Sequence, residues 1–438
     1  MNLNNMILYR GMQEGKVLED ILDLVENEGH ILKGTLSAIK GEEDEERILC
    51  SCIHNLVNYA NKYGFEGNLW HTYLTWLLVN HENPYSMACE IGGDATGSID
   101  MIAKYDYTIW LELYQIDLLR FAFAEEEKEK FAIFLDYKGF ERQGKTFNKR
   151  IRDSVCELSV RLAKAETVEV FQSIITEFYK QYGVGKFGLH KAFRIEHGNE
   201  ELRIVPIKNI ANVYLDDLIG YEIPKQKLVR NTQAFVEGRP ANNCLLFGDA
   251  GTGKSSSIKA ILNQYYDKGL RMIEIYKHQF KDLNDVIAQI KNRDYKFIIY
   301  MDDLSFEEFE IEYKYLKAVI EGGLEKKPDN VLIYATSNRR HLVREQFSDK
   351  EGRRDDLHAS DTVQEKLSLA ARFGESIFFV GPSRKEFQSI VLELAKRNQI
   401  RMTEEELLLA ANKWELQHNG LSGRTAQQFI DALLSEQL

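Results

Sequence analysis

The stretch Gly248-Asp249-Ala250-Gly251-Thr252-Gly253-Lys254-Ser255 restricts the choice of fold more than any other in this chain of 438 residues. It satisfies G-x-x-x-x-G-K-[ST] at every fixed position. The apolar run Cys244 to Phe247 precedes it, and Ile258, Ile261 and Leu262 follow at helical spacing. Such a loop turns successive backbone N–H groups inward around phosphate oxygens, which needs dihedrals that glycine tolerates. The N-terminus of the following helix adds positive potential. Lys254 is placed to reach the β- and γ-phosphates and Ser255 to offer its hydroxyl to Mg²⁺, with Ser256 completing the nucleotide-binding run. A chance glycine-rich turn would have no reason to sit between a strand and a helix.

From about residue 210 short β-rich runs alternate with helical ones, the pattern of a parallel sheet wrapped by helices. Five runs read as strands: Cys244 to Phe247, Met272 to Tyr276, Phe297 to Met301, Val331 to Ala335 and Ile377 to Val380. One intervening helix is expected to carry Phe306, Phe309, Tyr313, Leu316 and Ile320 on a single face and to stop at Gly322-Gly323. The third strand ends in Asp302-Asp303. A carboxylate there, one βα unit after a phosphate loop, can hold the magnesium hydration shell, and the next can polarise the attacking water. Asp302 therefore takes the metal role beside Ser255, and Asp303 the base role. Away from such a loop, paired acids at a strand end would serve equally as a turn. At the tip of the fourth strand a polar residue can position the water and sense the γ-phosphate; Asn338 is the first choice and Thr336 the second. From Pro382 the chain reads as helical again, with Thr403 and Glu406 at capping-box spacing and Gly420 closing that helix.

These elements, in this order, resemble the AAA+ ATPases, in which a strand-end Asn senses the γ-phosphate. Ala371-Arg372-Phe373-Gly374 resembles the box that supplies an arginine finger to the neighbouring subunit in initiator- and loader-type members. Gly423-Arg424, after the cap residue Ser422, resembles the second sensor, an arginine folded onto the phosphates from the lid. Leu218-Ile219-Gly220-Tyr221 resembles the adenine-side entry, which brings in Ile219. Either arginine taken alone would read as a surface ion pair. Asn242 to Gly248, Asp302 to Phe306, Ala335 to Leu342, Lys366 to Leu369 and Leu421 to Ala426 are similar to an uncharacterised bacterial AAA+ family of predicted ATPases with a domain of unknown function, from about residue 186 onward. The resemblance implies Mg²⁺ and ATP as cofactors, ADP and phosphate as products, and a homo-oligomeric ring or partial ring. Asp303 departs from the superfamily, where Glu is usual. Asp is one methylene shorter, so ATP binding is better supported than rapid turnover.

Residues 1 to about 200 read as mainly helical, with Ile21, Leu24, Val25 and Tyr73, Trp76, Leu77 at helical spacing. Gly183-Val184-Gly185-Lys186-Phe187-Gly188 matches G-x-G-x-x-G, but the stretch before it is helical in period and no βαβ pattern follows, so it reads as a flexible turn. The charge runs Glu42 to Glu46 and Glu125 to Lys130 read as solvated faces. So does the basic stretch from Lys138 to Arg152, although its interleaved Phe140 and Phe147 could track a phosphate backbone. The net charge of −12 gives no global field for duplex DNA, but a local basic stripe would suffice. Five cysteines, an odd number, form no disulfide framework, and neither a signal peptide nor a membrane-length apolar run is evident. A cytoplasmic protein without membrane contact is expected.

The expected architecture is a helical region of unknown role (1–200), an α/β P-loop NTPase core with a five-stranded parallel sheet (201–381) and a C-terminal helical lid (382–438). The expected activity is hydrolysis of Mg-ATP to drive conformational change on a macromolecular client, with a non-catalytic ATP-gated binding module as the alternative. The stretch Tyr276-Lys277-His278-Gln279-Phe280 lacks the glycine of a protein-threading pore loop. A nucleic-acid client stays open.

Overall fold

The computed structural model describes residues 5–12, 15–32, 42–92, 95–121, 128–129, 131–139, 149–198, 202–207, 210–306, 310–321, 327–338, 369–418 and 420–436. The chain forms two compact units, Met1–His190 and Lys191–Leu438.

The first unit contains α1 (Lys16–Leu32), α2 (Glu42–Tyr63), α3 (Leu69–Asn80), α4 (Pro84–Gly92), α5 (Ser98–Tyr114), α6 (Lys149–Ala163), α7 (Val168–Tyr182) and the short α8 (Gly185–Leu189). Helix α3 is apolar on nearly every side, so it is buried at the centre of the unit rather than amphipathic at its surface. Asn68 caps it, accepting the His71 N–H at 3.1 Å. Buried polar groups tie distant segments together. Asp106 on α5 is fully buried and accepts the backbone N–H groups of Ile7, Leu8 and Tyr9. The Tyr9 hydroxyl lies 2.8 Å from that of Tyr107 and 3.0 Å from that of Tyr179, which donates to the Leu78 carbonyl. Burial pushes the pKa of all three phenols up. Helix α7 precedes the G-x-G-x-x-G sequence where a dinucleotide site would need a strand. Its glycines are packed rather than flexible: a Cβ on Gly188 would approach the Tyr182 carbonyl oxygen to 2.7 Å. Arg152, from the basic stretch, pairs with Asp153 and Glu66, while Phe140, Arg142, Lys145 and Phe147 lie outside the described residues.

The second unit is built on one sheet of β1 (Ala192–His197), β2 (Leu202–Pro206), β3 (Cys244–Gly248), β4 (Leu270–Glu274), β5 (Lys296–Met301), β6 (Val331–Ser337) and β7 (Glu375–Phe379). The strand order is β2-β1-β4-β5-β6-β3-β7; β1 and β2 are antiparallel and every other pairing is parallel. The five expected strands are all present, and this is the expected α/β core, with the phosphate loop between β3 and the helix that follows it. The sheet has seven strands rather than five because the β1–β2 hairpin extends it beside β4. Phe193 and Ile195 alternate with Arg194 and Glu196 for only a few residues, a weak pattern for a strand.

Helices α9 (Glu222–Val236) and α10 (Lys254–Tyr265) cover one face of the sheet, where Ile258, Ile261 and Leu262 pack on Leu246, Ile298, Leu332 and Tyr334. Each such fully buried aliphatic side chain contributes roughly 1.5–3 kcal/mol. Helices α11 (Leu283–Ile290) and α12 (Glu312–Glu321) follow β4 and β5. Phe306 lies before α12 and is buried there, so the expected long helix is shorter; Phe309, Gly322 and Gly323 fall outside the described residues. The chain ends in α13 (Arg384–Arg397), α14 (Glu404–Gln417) and α15 (Gly423–Glu436), which enclose a separate small core of Phe387, Ile390, Val391, Leu407, Phe429 and Ile430. Capping boxes open α13 (Ser383, Glu386) and α14 (Thr403, Glu406). No helix among the described residues is long and apolar enough to cross a membrane.

Candidate nucleotide site

Strand β3 delivers the phosphate loop to the carboxyl edge of the sheet. At Gly248 the backbone has φ +134°, and a Cβ would lie 2.0 Å from the carbonyl oxygen of Phe379, so the turn tolerates no side chain. That carbonyl accepts the Asp249 N–H at 3.1 Å, and the Asp249 carboxylate accepts the Gly381 N–H at 2.7 Å. The loop is thereby fastened to β7 and to the segment after it. Gly253, at φ +85°, ends the loop, and α10 begins at Lys254.

Lys254 is 6% exposed; its ammonium donates to the carbonyls of Gly248 at 2.9 Å and Asp249 at 2.6 Å. Burial holds its pKa below the ordinary lysine value, against the pull of Asp249, Asp303 and Asp302. Ser255, one residue on, donates to Asp302 Oδ1 at 2.6 Å. Thr336 Oγ1 donates to the same oxygen at 2.6 Å and accepts the Asp303 N–H at 2.9 Å. Burial works to raise the Asp302 pKa, but the hydrogen bonds from Ser255 and Thr336 outweigh it and hold it low. Asp303 has a left-handed backbone, φ +48°, a conformation that Asp adopts more readily than most residues. Its Oδ1 accepts from Asn338 Nδ2 at 2.8 Å. The Ser255 hydroxyl and the Asp302 carboxylate together make a hard-oxygen pair that suits Mg²⁺.

The lid closes over the loop. Arg424, in the first turn of α15, donates its backbone N–H to the Gly251 carbonyl at 3.2 Å, and Ser422 caps that helix by accepting the Thr425 N–H at 3.0 Å. The resulting cleft, about 520 Å³, is lined by the loop from Ala250 through Ser256, but not by the expected Gly248 and Asp249 that anchor the loop to β7, and further by Asp302, Asp303, Thr336 and Asn338 and by Ile219 and Arg424. Leu218, Ile219, Tyr221, Ile390 and Leu394 give the cleft an apolar slot. Lys225, nearly buried, steadies that wall by donating to the Leu218 carbonyl at 2.8 Å.

The structure thus brings together in one cleft Lys254, Ser255, Asp302, Asp303, Asn338, Arg424 and Ile219. Arg372 does not line this cleft; it is half-buried and pairs with Glu321. Arg339, Arg340, Arg353 and Arg354, four further arginines of the sequence between β6 and β7 that would be the next candidates for a finger, lie outside the described residues. Among the apolar lining positions, Ile390 and Leu394 had no motif of their own and are readable only as the i, i+4 face of α13. Tyr221 closes the Leu218-Ile219-Gly220-Tyr221 segment, but no sequence pattern signals its left-handed φ of +59°.

A comparison with curated proteins finds no match. Similar solved structures include Thermotoga maritima RuvB, described as a Holliday junction branch migration motor, at 13% identity and a TM-score of 0.31, covering 50% of this chain and 71% of that one. Two point variants of RuvB from the same organism align at 15% and 17% identity with TM-scores of 0.33 and 0.35, over 49% and 50% of this chain. The alignments span 62% and 63% of those two chains. The profile of one protein family matches residues 188–437, more than half of the chain, from the start of the sheet to the end of the lid, and the chain belongs to that family, described as Protein of unknown function (DUF815).

Proposed function

We propose that the chain binds Mg-ATP in this cleft and hydrolyses it to ADP and phosphate, the lid and sheet converting turnover into movement of a macromolecular client. The observation that carries the reading is the convergence of Lys254, Ser255, Asp302, Asp303 and Asn338 on one cleft at the mouth of a phosphate loop. The loop N–H groups cradle the phosphates, and the Lys254 ammonium moves from the loop carbonyls to the β- and γ-phosphates. Ser255 and Asp302 hold the magnesium, which when bound neutralises charge on the phosphate oxygens. The Asp303 carboxylate takes the proton of the attacking water while Asn338 orients that water toward the γ-phosphorus. Arg424 reaches the phosphates from the lid of the same subunit. Arg372, turned to Glu321 within its own chain, acts on the next subunit of a homo-oligomer. The adenine lies in the slot beside Ile219.

Steady-state phosphate release tests the assignment. Lys254→Ala should abolish ATP binding, and wild-type affinity in this variant refutes the site. Asp303→Asn should bind Mg-ATP yet release phosphate ~10²–10⁴-fold more slowly, the usual range for a general base. One observation favours the alternative of an ATP-gated binding module: Asp303 is shorter than the usual Glu and already engaged by Asn338. Tight ATP binding with no sustained phosphate release selects that reading; sustained turnover excludes it.

A further inference from the structure

Thr336 belongs to neither loop nor lid, yet three consecutive residues of the acidic strand end are fastened to it. Its side-chain hydroxyl donates to Asp302 Oδ1 and accepts the Asp303 N–H. Its backbone carbonyl accepts the Leu304 N–H at 2.7 Å, and the next residue, Ser337, donates through its hydroxyl to the Leu304 carbonyl at 2.7 Å. Thr336 is 2% exposed and pairs with Leu246 of β3 on the side away from β5, so its position is fixed by the two strands that carry the loop and the acids. A hydroxyl has one hydrogen to give, and both of its functions are in use. Asp303 sits at φ +48°, a conformation an L-residue holds only when its surroundings determine it. The Thr336 acceptor is one such determinant and Asn338 the other.

We propose that Thr336 is a positioning residue, whose single hydroxyl sets the metal-holding carboxylate of Asp302 and the base carboxylate of Asp303 in register with each other. This rests on the roles given to those acids above. The hydroxyl's donated hydrogen points the Asp302 carboxylate at the Ser255 hydroxyl; its lone pair holds the Asp303 backbone in the turn that aims the next carboxylate into the cleft. Substitution therefore disturbs the chemical step and the magnesium requirement together, while the loop and the apolar slot, which carry nucleotide affinity, keep their shape.

The test compares Thr336→Val, which keeps the branched shape and loses the hydroxyl, with Thr336→Ser, which keeps the hydroxyl. Thr336→Val should lower kcat ~10–100-fold, the effect of losing one hydrogen bond to a charged group. It should raise the Mg²⁺ concentration for half-maximal rate and leave KM for ATP within about two-fold, since nothing in the phosphate cradle is removed. Thr336→Ser should restore both. Wild-type kcat and Mg²⁺ dependence in Thr336→Val overturns the proposal, as does a Ser variant no better than the Val one. Thr336→Ala replaces Val if thermal melting shows that Val prevents folding. Wild-type protein that releases no phosphate refutes the hydrolase reading instead. The positioning role is then read from the Mg²⁺ concentration at which the gain in ATP affinity is half-maximal, which Thr336→Val should raise and Thr336→Ser should restore, the affinity at saturating Mg²⁺ staying within about two-fold; an unchanged Mg²⁺ concentration in Thr336→Val overturns it.

Discussion

Gly251→Ala would separate the lid from the phosphate loop without dismantling either. Two costs arise at this position. The backbone is left-handed, φ +74°, which an L-residue adopts at roughly 1–2 kcal/mol. The new Cβ would also lie 2.9 Å from Ser422 Oγ and 3.1 Å from the Cβ atoms of Ser422 and Arg424. The Ser422 hydroxyl cannot simply turn aside, because it caps α15 by accepting the Thr425 N–H. The lid has its own core, so the cheapest relief is for it to move back as a body by a few tenths of an ångström. That stretches the bond from the Arg424 N–H to the Gly251 carbonyl and draws Arg424 away from the phosphates. Losing a charge-assisted contact of ~1.5–3 kcal/mol corresponds to a ~10–100-fold loss of ATP affinity. Gly269→Ala is the matched control: φ is +87°, the backbone cost is the same, and nothing lies within 4 Å of the added Cβ. Calorimetric titration with a non-hydrolysable ATP analogue should show the loss in Gly251→Ala and near wild-type affinity in Gly269→Ala, with both melting slightly below wild type. Equal affinity in the two variants would refute the lid contact as the cause.

Arg372→Ala protein mixed with Lys254→Ala protein should recover ATP hydrolysis, because an intact pocket then meets an intact finger, worth ~10³–10⁵ in kcat in related enzymes. The mixture with Arg424→Ala in place of Arg372→Ala should stay inactive, and a silent first mixture in demonstrably mixed assemblies rules out action in trans. Lys327→Met should stabilise the core. Burial pushes the Lys327 ammonium down to about 8, and it donates to Asn243 Oδ1, which also takes the Ile333 N–H. The folded state thus binds fewer protons than the unfolded one between pH 8 and 10.5. The cost, on the order of 3 kcal/mol at 1.36 kcal/mol per pH unit, is fully present below pH 8 and fades as pH rises through that window. A higher melting temperature at pH 7, with the gain shrinking toward pH 10, is expected; a lower one refutes the penalty.

What the sequence disclosed follows from what is local. The phosphate loop, the five core strands and the Thr403–Glu406 box depend on spacing within a few residues; the box stands where spacing places it, and each strand lies within two residues of its expected bounds. The hairpin of β1 and β2 escaped because Arg194 and Glu196 stand on its exposed side and the runs are short. Phe306 fits a helical period with Tyr313 and Leu316 only on paper: it is buried ahead of α12, its ring against those of Phe280 and Tyr313. Other features are long-range by nature. The Thr336 hydroxyl meets two acids more than thirty residues away, Gly251 meets a lid residue, and Asp106 holds three N–H groups near the start of the chain. No periodicity announces such pairings, because they exist only once the strand order is set.

That strand order also dictates when the site can come into being. Strand β3 lies between β6 and β7, so the strand that carries the phosphate loop has no hydrogen-bonded neighbour from the preceding part of the chain. Its partners lie at residues 331–337 and 375–379. Such non-local parallel pairing bears its loop-closure entropy before any contact rewards it, which makes it slow. At about 5–20 residues per second on the ribosome, on the order of ten seconds separate the synthesis of β3 from that of β7. Through that interval Gly248 has no Phe379 carbonyl to turn against, and until β6 has been made the apolar β3 has no native strand to pair with. The phosphate loop can therefore take its final shape only after residue 379 has been made, and the nascent core is most vulnerable to wrong partners during the interval before β7 arrives.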